Sequence, residues 1–306
     1  MKILYAGSSL SSSMILNAII NSRYNIVGVI SQPDKRSKRG SKAEPSFVSA
    51  EALKNNITTF RPNNLGTEFQ KDISKLTYDI LLVVAYGKIL PEWLINSPRI
   101  SSVNVHFSLL PKYRGASPIQ SAILNNEKMT GVSIMKMTNG LDEGPVYISH
   151  NQEICETDHR ESLEEKLTSL CIKNINMDLE RIVNNQLIPK NQKINNISYC
   201  SKINKSSGCV QFDSEKAEDI INKYKAYFGW PGLYFERNNL KVKIHGIANN
   251  PYDIDINDKG SFYFYNNELI VKTLDKSVVI THLQFPGKGI ITTKDAENSY
   301  SEFFRN

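Results

Sequence analysis

The sequence predicts an α/β protein: a Rossmann-like, doubly wound, mostly parallel sheet followed by a smaller domain of short strands, either a barrel or a sandwich. Three observations support this prediction. Through the first half, short continuous apolar runs alternate with helix-patterned segments, as in a parallel sheet covered on both faces. Residues 184–205, polar and rich in Asn and Lys, interrupt this rhythm. Beyond them, short alternating strands are separated by Asn, Asp and Gly turns, which is typical of a small barrel or sandwich.

The strands predicted in the first half are short apolar runs that end at polar or glycine-containing loops. They cover residues 3–6, 25–31, 80–85, 102–105 and 131–137. Serines suited to helix capping follow the first run, and then comes a helix with an apolar stripe of Met14, Ile15, Ala18 and Ile19. In such a sheet, ligands are expected at the carboxyl ends of the strands.

The change of rhythm predicts how the chain is divided. Residues 1–183 are expected to form the first domain, residues 184–205 a linker and residues 206–306 the C-terminal domain. A second-half helix is predicted at 217–227, and strands are predicted at 240–244, 261–265, 269–273 and 278–283.

Composition limits the class of protein. Of the 306 residues, 40% are hydrophobic and 22% are charged, as in ordinary soluble globular domains. The net charge of +6 gives only slight support for a polyanionic partner, because many metabolic enzymes are equally basic. The four cysteines lack Cys-x-x-Cys spacing, so no metal site is expected. No apolar stretch is long enough to span a membrane and no signal-peptide pattern is present, so a cytoplasmic location is expected.

Residues 102–120 are the most informative segment for chemistry. A predicted strand delivers Asn104 and His106, which are two positions apart and therefore on the same face. A second polar cluster, NGLDEG at residues 139–144, follows another predicted strand, and its glycines allow the backbone around Asp142 to turn sharply. Taken alone, Asn104 could cap the strand, His106 could be a hydrogen-bonded core histidine, and Asp142 could be a turn residue.

Together these segments resemble the folate-dependent formyltransferases, and most closely the methionyl-tRNA formyltransferases. The family pattern is Asn-x-His-x-Ser-Leu-Leu-Pro, a basic-aromatic-Arg-Gly-Ala segment and, further along, an Asp within Gly-Leu-Asp-x-Gly. The matching positions here are Asn104, His106, Ser108, Leu109, Leu110, Pro111, Arg114, Gly115, Ala116 and Asp142. Similarity extends to residues 83–91 and to the Trp-Pro-Gly at 230–232, and so covers nearly the whole chain.

The resemblance implies catalytic roles for Asn104, His106 and Asp142, and 10-formyltetrahydrofolate as the formyl donor, without a metal. The implied donor-binding residues are Ser108, Leu109, Leu110, Pro111, Tyr86, Gly87 and Leu90, and the resemblance also implies that the turn around Asp142 lines the pterin pocket. These catalytic residue types suit the reaction, because an amine that attacks a formyl carbon needs donors aimed at a developing oxyanion and a group that moves a proton. The amide of Asn104 supplies N–H donors, and His106 with Asp142 could relay the proton.

A basic run at residues 35–42 predicts contact with phosphates. The expected tRNA-binding residues are Arg36, Lys38, Arg39 and Lys42, since the corresponding loop of the resembled family inserts at the acceptor stem. A solvated surface loop is the alternative. The resemblance implies methionyl initiator tRNA as partner and an OB-like β-barrel as C-terminal domain, which contacts the tRNA backbone. A monomer is expected. Basic and aromatic residues in that domain suit RNA binding, although core packing is the preferred interpretation for Trp230, Tyr224 and Tyr227.

Three alternatives stay open. A sugar-nucleotide N-formyltransferase shares the Asn-His-Asp core but need not carry the basic run. A glycinamide ribonucleotide formyltransferase shares the core but lacks the domain after the predicted linker. A non-catalytic RNA-binding homologue is disfavoured, because it would not need all three polar residues.

Overall fold

The computed structural model describes residues 1–36, 42–252 and 258–305. Its contacts divide the chain into two compact units. The first unit comprises Met1–Pro118, Lys128–Ile154 and Leu163–Ser201, and the second comprises Ile119–Glu127, Cys155–Ser162 and Lys202–Asn306. The domain boundaries and the linker inferred from composition stay predictions.

Helices and strands alternate through the first unit, and strands dominate the second. In chain order they are β1 (Lys2–Gly7), α1 (Leu10–Ile20), β2 (Asn25–Ile30), β3 (Lys35–Arg36), β4 (Ala43–Glu44), α2 (Phe47–Lys54), β5 (Thr59–Phe60), α3 (Thr67–Ile73), β6 (Ile80–Val84), α4 (Glu92–Ile95), β7 (Ser101–His106), β8 (Arg114–Gly115), α5 (Pro118–Leu124), β9 (Met129–Lys136), β10 (Val146–Glu153), α6 (Arg160–Val183), β11 (Tyr199–Cys200), α7 (Ala217–Ala226), β12 (Leu233–Arg237), β13 (Leu240–Asn249), β14 (Phe262–Tyr265), β15 (Glu268–Lys272), β16 (Ser277–Gln284), β17 (Ile290–Thr292) and α8 (Thr293–Phe304). Within the described ranges, no helix has the length and apolar character needed to cross a membrane.

The first unit is built on a seven-stranded sheet with the strand order β10-β9-β7-β6-β1-β2-β5. The strands from β7 to β5 are parallel to one another. The other two complete the sheet with antiparallel pairs, β9 on β7 and β10 on β9. Strand order reverses between β1 and β6, and doubly wound sheets bind ligands at the carboxyl ends beside such a reversal. The predicted doubly wound, mostly parallel sheet is confirmed.

Both faces of this sheet are covered, because successive side chains of a strand point to opposite faces. From β1, Leu4 and Ala6 pack in one apolar cluster with buried residues of α3 and α4. Tyr5, which lies between these two residues in the sequence, points to the opposite face of the sheet. Its hydroxyl donates to the carbonyl oxygen of Ser12 in α1 at 2.7 Å. Helices therefore pack on both faces, as the continuous apolar strands indicated.

The first helix begins where its serines predict, but it buries a different stripe from the one predicted. The hydroxyl of Ser9 caps α1 by accepting the backbone N–H of Ser12. Ile15 and Ile19 are fully buried, whereas Met14 is 44% exposed. Positions 12, 15 and 19 share one helical face, whereas position 14 is roughly 100° or more around the helix from each of them, so the prediction was wrong for Met14.

The second unit contains an antiparallel sheet of six strands, ordered β12-β13-β16-β15-β14 with β17 paired to β16. This confirms the predicted C-terminal β domain. Rings of Phe212, Phe235 and Phe262 meet with centroids 5.3–5.7 Å apart, and Phe304 of α8 packs on Phe262. Core packing was the wrong prediction for Trp230, which is 50% exposed, but it is confirmed for Tyr227, which is buried.

Candidate active site

Asn104, His106 and Asp142, hereafter the candidate triad, meet at the carboxyl end of β7. Asn104 and His106 lie on that strand, and Asp142 lies in the loop between β9 and β10. Nδ2 of Asn104 is 3.4 Å from Oδ1 of Asp142, and Nδ1 of His106 is 3.7 Å from Oδ2. Two side chains of one strand therefore face the two oxygens of a single carboxylate.

The sheet explains why the two residues of β7 point into the same space. β7 is held on one side by parallel β6 and on the other by antiparallel β9. Alternation places Asn104 and His106 on one face of this strand and buried Val103 and Val105 on the other. The strand ends at His106, so both polar side chains stand at the edge where α/β sheets carry ligands.

The hydrogen bonds of His106 determine which ring nitrogen is available for chemistry. Its Nε2 lies 2.9 Å from the carbonyl oxygen of Tyr113. A carbonyl can only accept, so Nε2 carries the hydrogen of the neutral ring, and the lone pair is on Nδ1. Nδ1 is the nitrogen that faces Asp142. Because Nε2 is used by the Tyr113 carbonyl, Nδ1 is the nitrogen of this histidine that could accept a proton from a bound reactant.

A neighbouring backbone group anchors the carboxylate of Asp142. The N–H of Gly115 donates to Oδ2 at 2.8 Å. Glycine suits this position, because its φ is +121° and an added Cβ would lie 2.2 Å from the carbonyl oxygen of Cys200. Asp142 itself has φ +50°, a left-handed conformation that aspartate adopts more readily than most residues. The Arg-Gly and Gly-Leu-Asp motifs thus meet through one hydrogen bond.

Sequence reasoning missed Gln192, which lies within the predicted linker. Its Nε2 donates to the carbonyl oxygens of Asp142 and Gly144 at 2.7 and 2.8 Å. Its Oε1 accepts from the buried guanidinium of Arg114. A single glutamine in a polar stretch carries no signal that would have identified it.

The turn from Ser108 to Pro111 is a fixed structure directly after His106. A buried hydroxyl on β9, that of Ser133, donates to the carbonyl oxygen of Ser108 at 2.7 Å and accepts the N–H of Leu110 at 3.1 Å. Ser108 is buried, and its hydroxyl donates to the carbonyl oxygen of Lys112 at 2.6 Å. Leu109, Leu110 and Pro111 are partly exposed beside the candidate triad.

Comparison with known proteins identifies the family. Residues 1–175 match the family model described as formyl transferase, and residues 202–301 match the model of its C-terminal domain. The chain belongs to the formyl transferase family.

Relatives in this family match the chain from end to end. It is 39% identical over 305 residues to the methionyl-tRNA formyltransferase of Sulfurihydrogenibium sp. strain YO3AOP1, covering 98% of this chain and 97% of that one. It is 37% identical over 309 residues to the same enzyme of Buchnera aphidicola subsp. Acyrthosiphon pisum strain Tuc7, covering 100% and 98%. The family resemblance drawn from the motifs is confirmed.

A solved structure of an N-formyltransferase shares the fold. The enzyme from Helicobacter canadensis, in complex with folinic acid and dTDP-3-aminofucose, superposes with a TM-score of 0.67 at 22% identity. The match covers 92% of this chain and 98% of that one. At this identity the likeness supports the formyl transferase fold.

Not every residue predicted to bind the folate of a formyl transferase has an exposed side chain. Tyr86 is 2% exposed and Leu90 is 6% exposed, and both pack in the apolar cluster that holds Leu4. Burial raises the pKa of Tyr86 to about 12. Gly87, at φ +80°, is exposed between them. Of these three residues, only Gly87 is open to a ligand, so Tyr86 and Leu90 could contact one only through backbone groups.

We expect replacement of Tyr86 by Phe to leave formyl-folate binding unchanged and to maintain or raise the free energy of unfolding. The Tyr86 hydroxyl is buried without a hydrogen-bond partner among the described residues. Leaving such a group unpaired costs about 1–3 kcal/mol, and phenylalanine removes that cost while keeping the ring. Urea unfolding and titration with 5-formyltetrahydrofolate measure the two quantities. Weaker folate binding at unchanged stability would place the hydroxyl in the donor pocket and contradict this expectation.

The residues predicted to bind tRNA are only partly described. Arg36 ends β3 and pairs with Ala43 of β4, and Lys42 is exposed just before that strand. Lys38 and Arg39 lie outside the described residues. The tRNA-binding role of this run is taken up below as a proposal.

Proposed function

We propose that this chain transfers the formyl group of 10-formyltetrahydrofolate to the free amino group of methionyl initiator tRNA, in the cytoplasm and for translation initiation. One observation carries the proposal. The candidate triad meets around one carboxylate in a chain that is 33–39% identical, over nearly its whole length, to relatives named methionyl-tRNA formyltransferase. We expect the protein to act as a monomer, which light scattering would measure.

The donor is proposed to lie across the carboxyl ends of β6 and β7. Sites for flat heteroaromatic ligands are mainly apolar, with a few backbone groups that set orientation. The partly exposed Leu109, Leu110 and Pro111 supply apolar surface, and Gly87 leaves backbone accessible at the end of β6. The bonds from Ser133 hold the turn after β7 in one shape. We therefore retain Ser108–Pro111 and Tyr86–Leu90 as the proposed donor-binding segments, the latter through backbone.

The proposed reaction moves one proton between two nitrogens. The methionyl amine forms a bond to the formyl carbon, and the bond between that carbon and the folate nitrogen breaks. The proton lost by the amine ends on the folate nitrogen, so none is consumed overall. Nδ1 of His106 accepts it in passage, because Nε2 is committed to the carbonyl of Tyr113. The carboxylate of Asp142, 3.7 Å from Nδ1, stabilises the imidazolium that results.

Asn104 is proposed to stabilise charge on the formyl oxygen. One hydrogen of its Nδ2 points to Asp142, which leaves the second for the oxygen that becomes negative as the amine attacks. Donors held in place before the reaction are worth more than solvent, because they need no reorganisation. The contact of 3.4 Å is long, and such contacts commonly shorten once reactants are bound.

Formylation of charged initiator tRNA tests this proposal directly. The purified chain is incubated with 10-formyltetrahydrofolate and either methionyl initiator tRNA or a dTDP-amino sugar. We expect formylmethionyl-tRNA and no formylated sugar. Activity on the sugar nucleotide alone would replace the proposal with a sugar N-formyltransferase, and activity on neither would favour a non-catalytic homologue.

We further propose that the basic run binds the phosphates of the tRNA. Changing Arg36, Lys38, Arg39 and Lys42 to Gln is expected to raise the KM for tRNA and leave the KM for the donor unchanged. Each phosphate contact releases a counterion on binding. The slope of the logarithm of the tRNA association constant against the logarithm of salt concentration should therefore become less negative by as much as roughly 3.

A matched control separates the effect of phosphate contacts made by the basic run from the effect of lowering the net charge of the protein. It changes four cations exposed elsewhere in the first unit to Gln: Lys54, Lys71, Arg99 and Lys128. If both variants show the same salt slope, the basic run has no special role and this part of the proposal fails.

A further inference from the structure

The loop that carries Asp142 is held from two directions. The N–H of Gly115 donates to its carboxylate, and Nε2 of Gln192 donates to its main-chain carbonyl oxygen. The same Nε2 also donates to the carbonyl oxygen of Gly144, so both amide hydrogens of this glutamine are used on the loop. Gln192 is half-buried, while Leu141 and Glu143 on either side of Asp142 are exposed. The loop therefore depends on few side chains for its position.

These hydrogen bonds form a closed circuit that begins and ends at Asp142. From Asp142 the circuit runs through the side chain of Gln192 to the guanidinium of Arg114. The Nε and Nη2 atoms of Arg114 donate to Oε1 of Gln192 at 3.0 and 2.8 Å. The circuit continues along the chain to Gly115 and returns to the carboxylate of Asp142. The main chain and the carboxylate of one residue are thus fixed relative to each other.

Arg114 is itself immobilised, so it determines how the glutamine amide is oriented. Its guanidinium lies 5.9 Å from the centroid of the Tyr199 ring, and its backbone N–H donates to the carbonyl oxygen of Ser198 at 2.9 Å. Guanidinium groups can only donate, so they require the oxygen of the amide on their side. The NH₂ group of Gln192 is then directed at the Asp142 loop.

We propose that Gln192 is a positioning residue that holds the Asp142 carboxylate against His106 and Asn104. The proposal rests on the formyl transfer proposed above, in which that carboxylate stabilises the imidazolium. It assigns a function in the active site to a residue of the stretch that the sequence marked only as a linker.

Gln192→Glu tests the proposal with little change of shape. Glutamate still offers an oxygen to Arg114, but it replaces the NH₂ group with an acceptor that faces the carbonyl oxygens of Asp142 and Gly144. A displacement of about 1 Å in a reacting group can lower turnover on the order of 10²-fold. We expect kcat to fall by roughly 10- to 100-fold, with the KM of both substrates little changed, because the carboxylate acts on the transition state.

Gln152→Glu is the matched control, since the Gln152 amide donates to the carbonyl oxygen of the adjacent Glu153 and lies away from the candidate triad. Its kcat should equal that of the unaltered protein, and both variants should have the same melting temperature. A lower melting temperature in Gln192→Glu with normal kcat at the assay temperature would show a structural role and overturn the proposal.

Two further measurements show whether Gln192 acts through Asp142. In an Asp142→Asn background, Gln192→Glu should cause no additional loss of turnover, and hydrogen exchange in residues 139–144 should be faster in the single variant Gln192→Glu. An equal loss in both backgrounds, or unchanged exchange, would overturn the proposal. If the unaltered protein fails to formylate methionyl-tRNA, the proposed function fails, while the exchange comparison still decides whether Gln192 holds the loop.

Discussion

Replacing Asp142 by Asn should lower kcat for formylation of methionyl-tRNA by roughly 10²- to 10⁴-fold, the range for a positioned proton-transfer group. The amide keeps the shape of the carboxylate, but it removes the negative charge 3.7 Å from Nδ1 of His106. The imidazolium formed when His106 accepts the amine proton then lacks its counter-charge. Asp142→Ala should be at least as severe, because it also removes the acceptor of the Gly115 N–H.

The loss should appear in turnover and not in donor binding. Asparagine changes neither the size of the Asp142 side chain nor the backbone of its loop, so titration with 5-formyltetrahydrofolate should give a nearly unchanged dissociation constant. Asp72→Asn is the control, since Asp72 is an exposed carboxylate paired with Lys75. A rate for Asp142→Asn close to that of this control would remove Asp142 from the mechanism.

Replacing Asn104 by Ala should lower kcat by roughly 10²- to 10³-fold, the cost of losing one donor to an oxyanion. Alanine leaves the strand intact and removes the Nδ2 hydrogens. The kcat of Asn104→Asp should be no higher than that of Asn104→Ala, because a second carboxylate would stand where Nδ2 now lies 3.4 Å from Oδ1 of Asp142. Steady-state kinetics with both substrates measure the effect.

The control for Asn104 is Asn125→Ala, which removes an exposed amide whose Nδ2 donates to the Ser121 carbonyl. Its kcat should be unchanged. A raised KM with normal kcat in Asn104→Ala would mean that this residue binds substrate equally in the ground and transition states, and would exclude the proposed oxyanion role.

The parts of the candidate site that lie on regular strands were predictable from local patterns. Alternation along residues 102–106 placed Asn104 and His106 on one face, and the structure has them there, on β7. The apolar runs also predicted the parallel strands at the centre of the sheet. Such strands are buried on both faces, which leaves a continuous apolar signal. β10, on the edge of the sheet, carries exposed polar residues and has no comparable signal.

The residues that could not be predicted depend on contacts between distant parts of the chain. The bonds of Gln192 to the Asp142 loop join positions about fifty residues apart, and no periodicity reports them. The resemblance implied that Tyr86, which follows a buried strand, binds the donor, yet its ring packs in the apolar cluster between the sheet and its helices. Motifs predicted the candidate residues near β7, whereas tertiary packing determines which of the predicted side chains are exposed.

A crystal structure of the protein with bound 5-formyltetrahydrofolate tests the central claim most directly. We predict that the formyl oxygen accepts a hydrogen bond from Nδ2 of Asn104 at roughly 3 Å, with the formyl carbon beside Nδ1 of His106 and the carboxylate of Asp142. The pterin should lie against the turn at residues 108–111. A formyl group bound away from β7, with the amide, imidazole and carboxylate facing no ligand, would contradict the account.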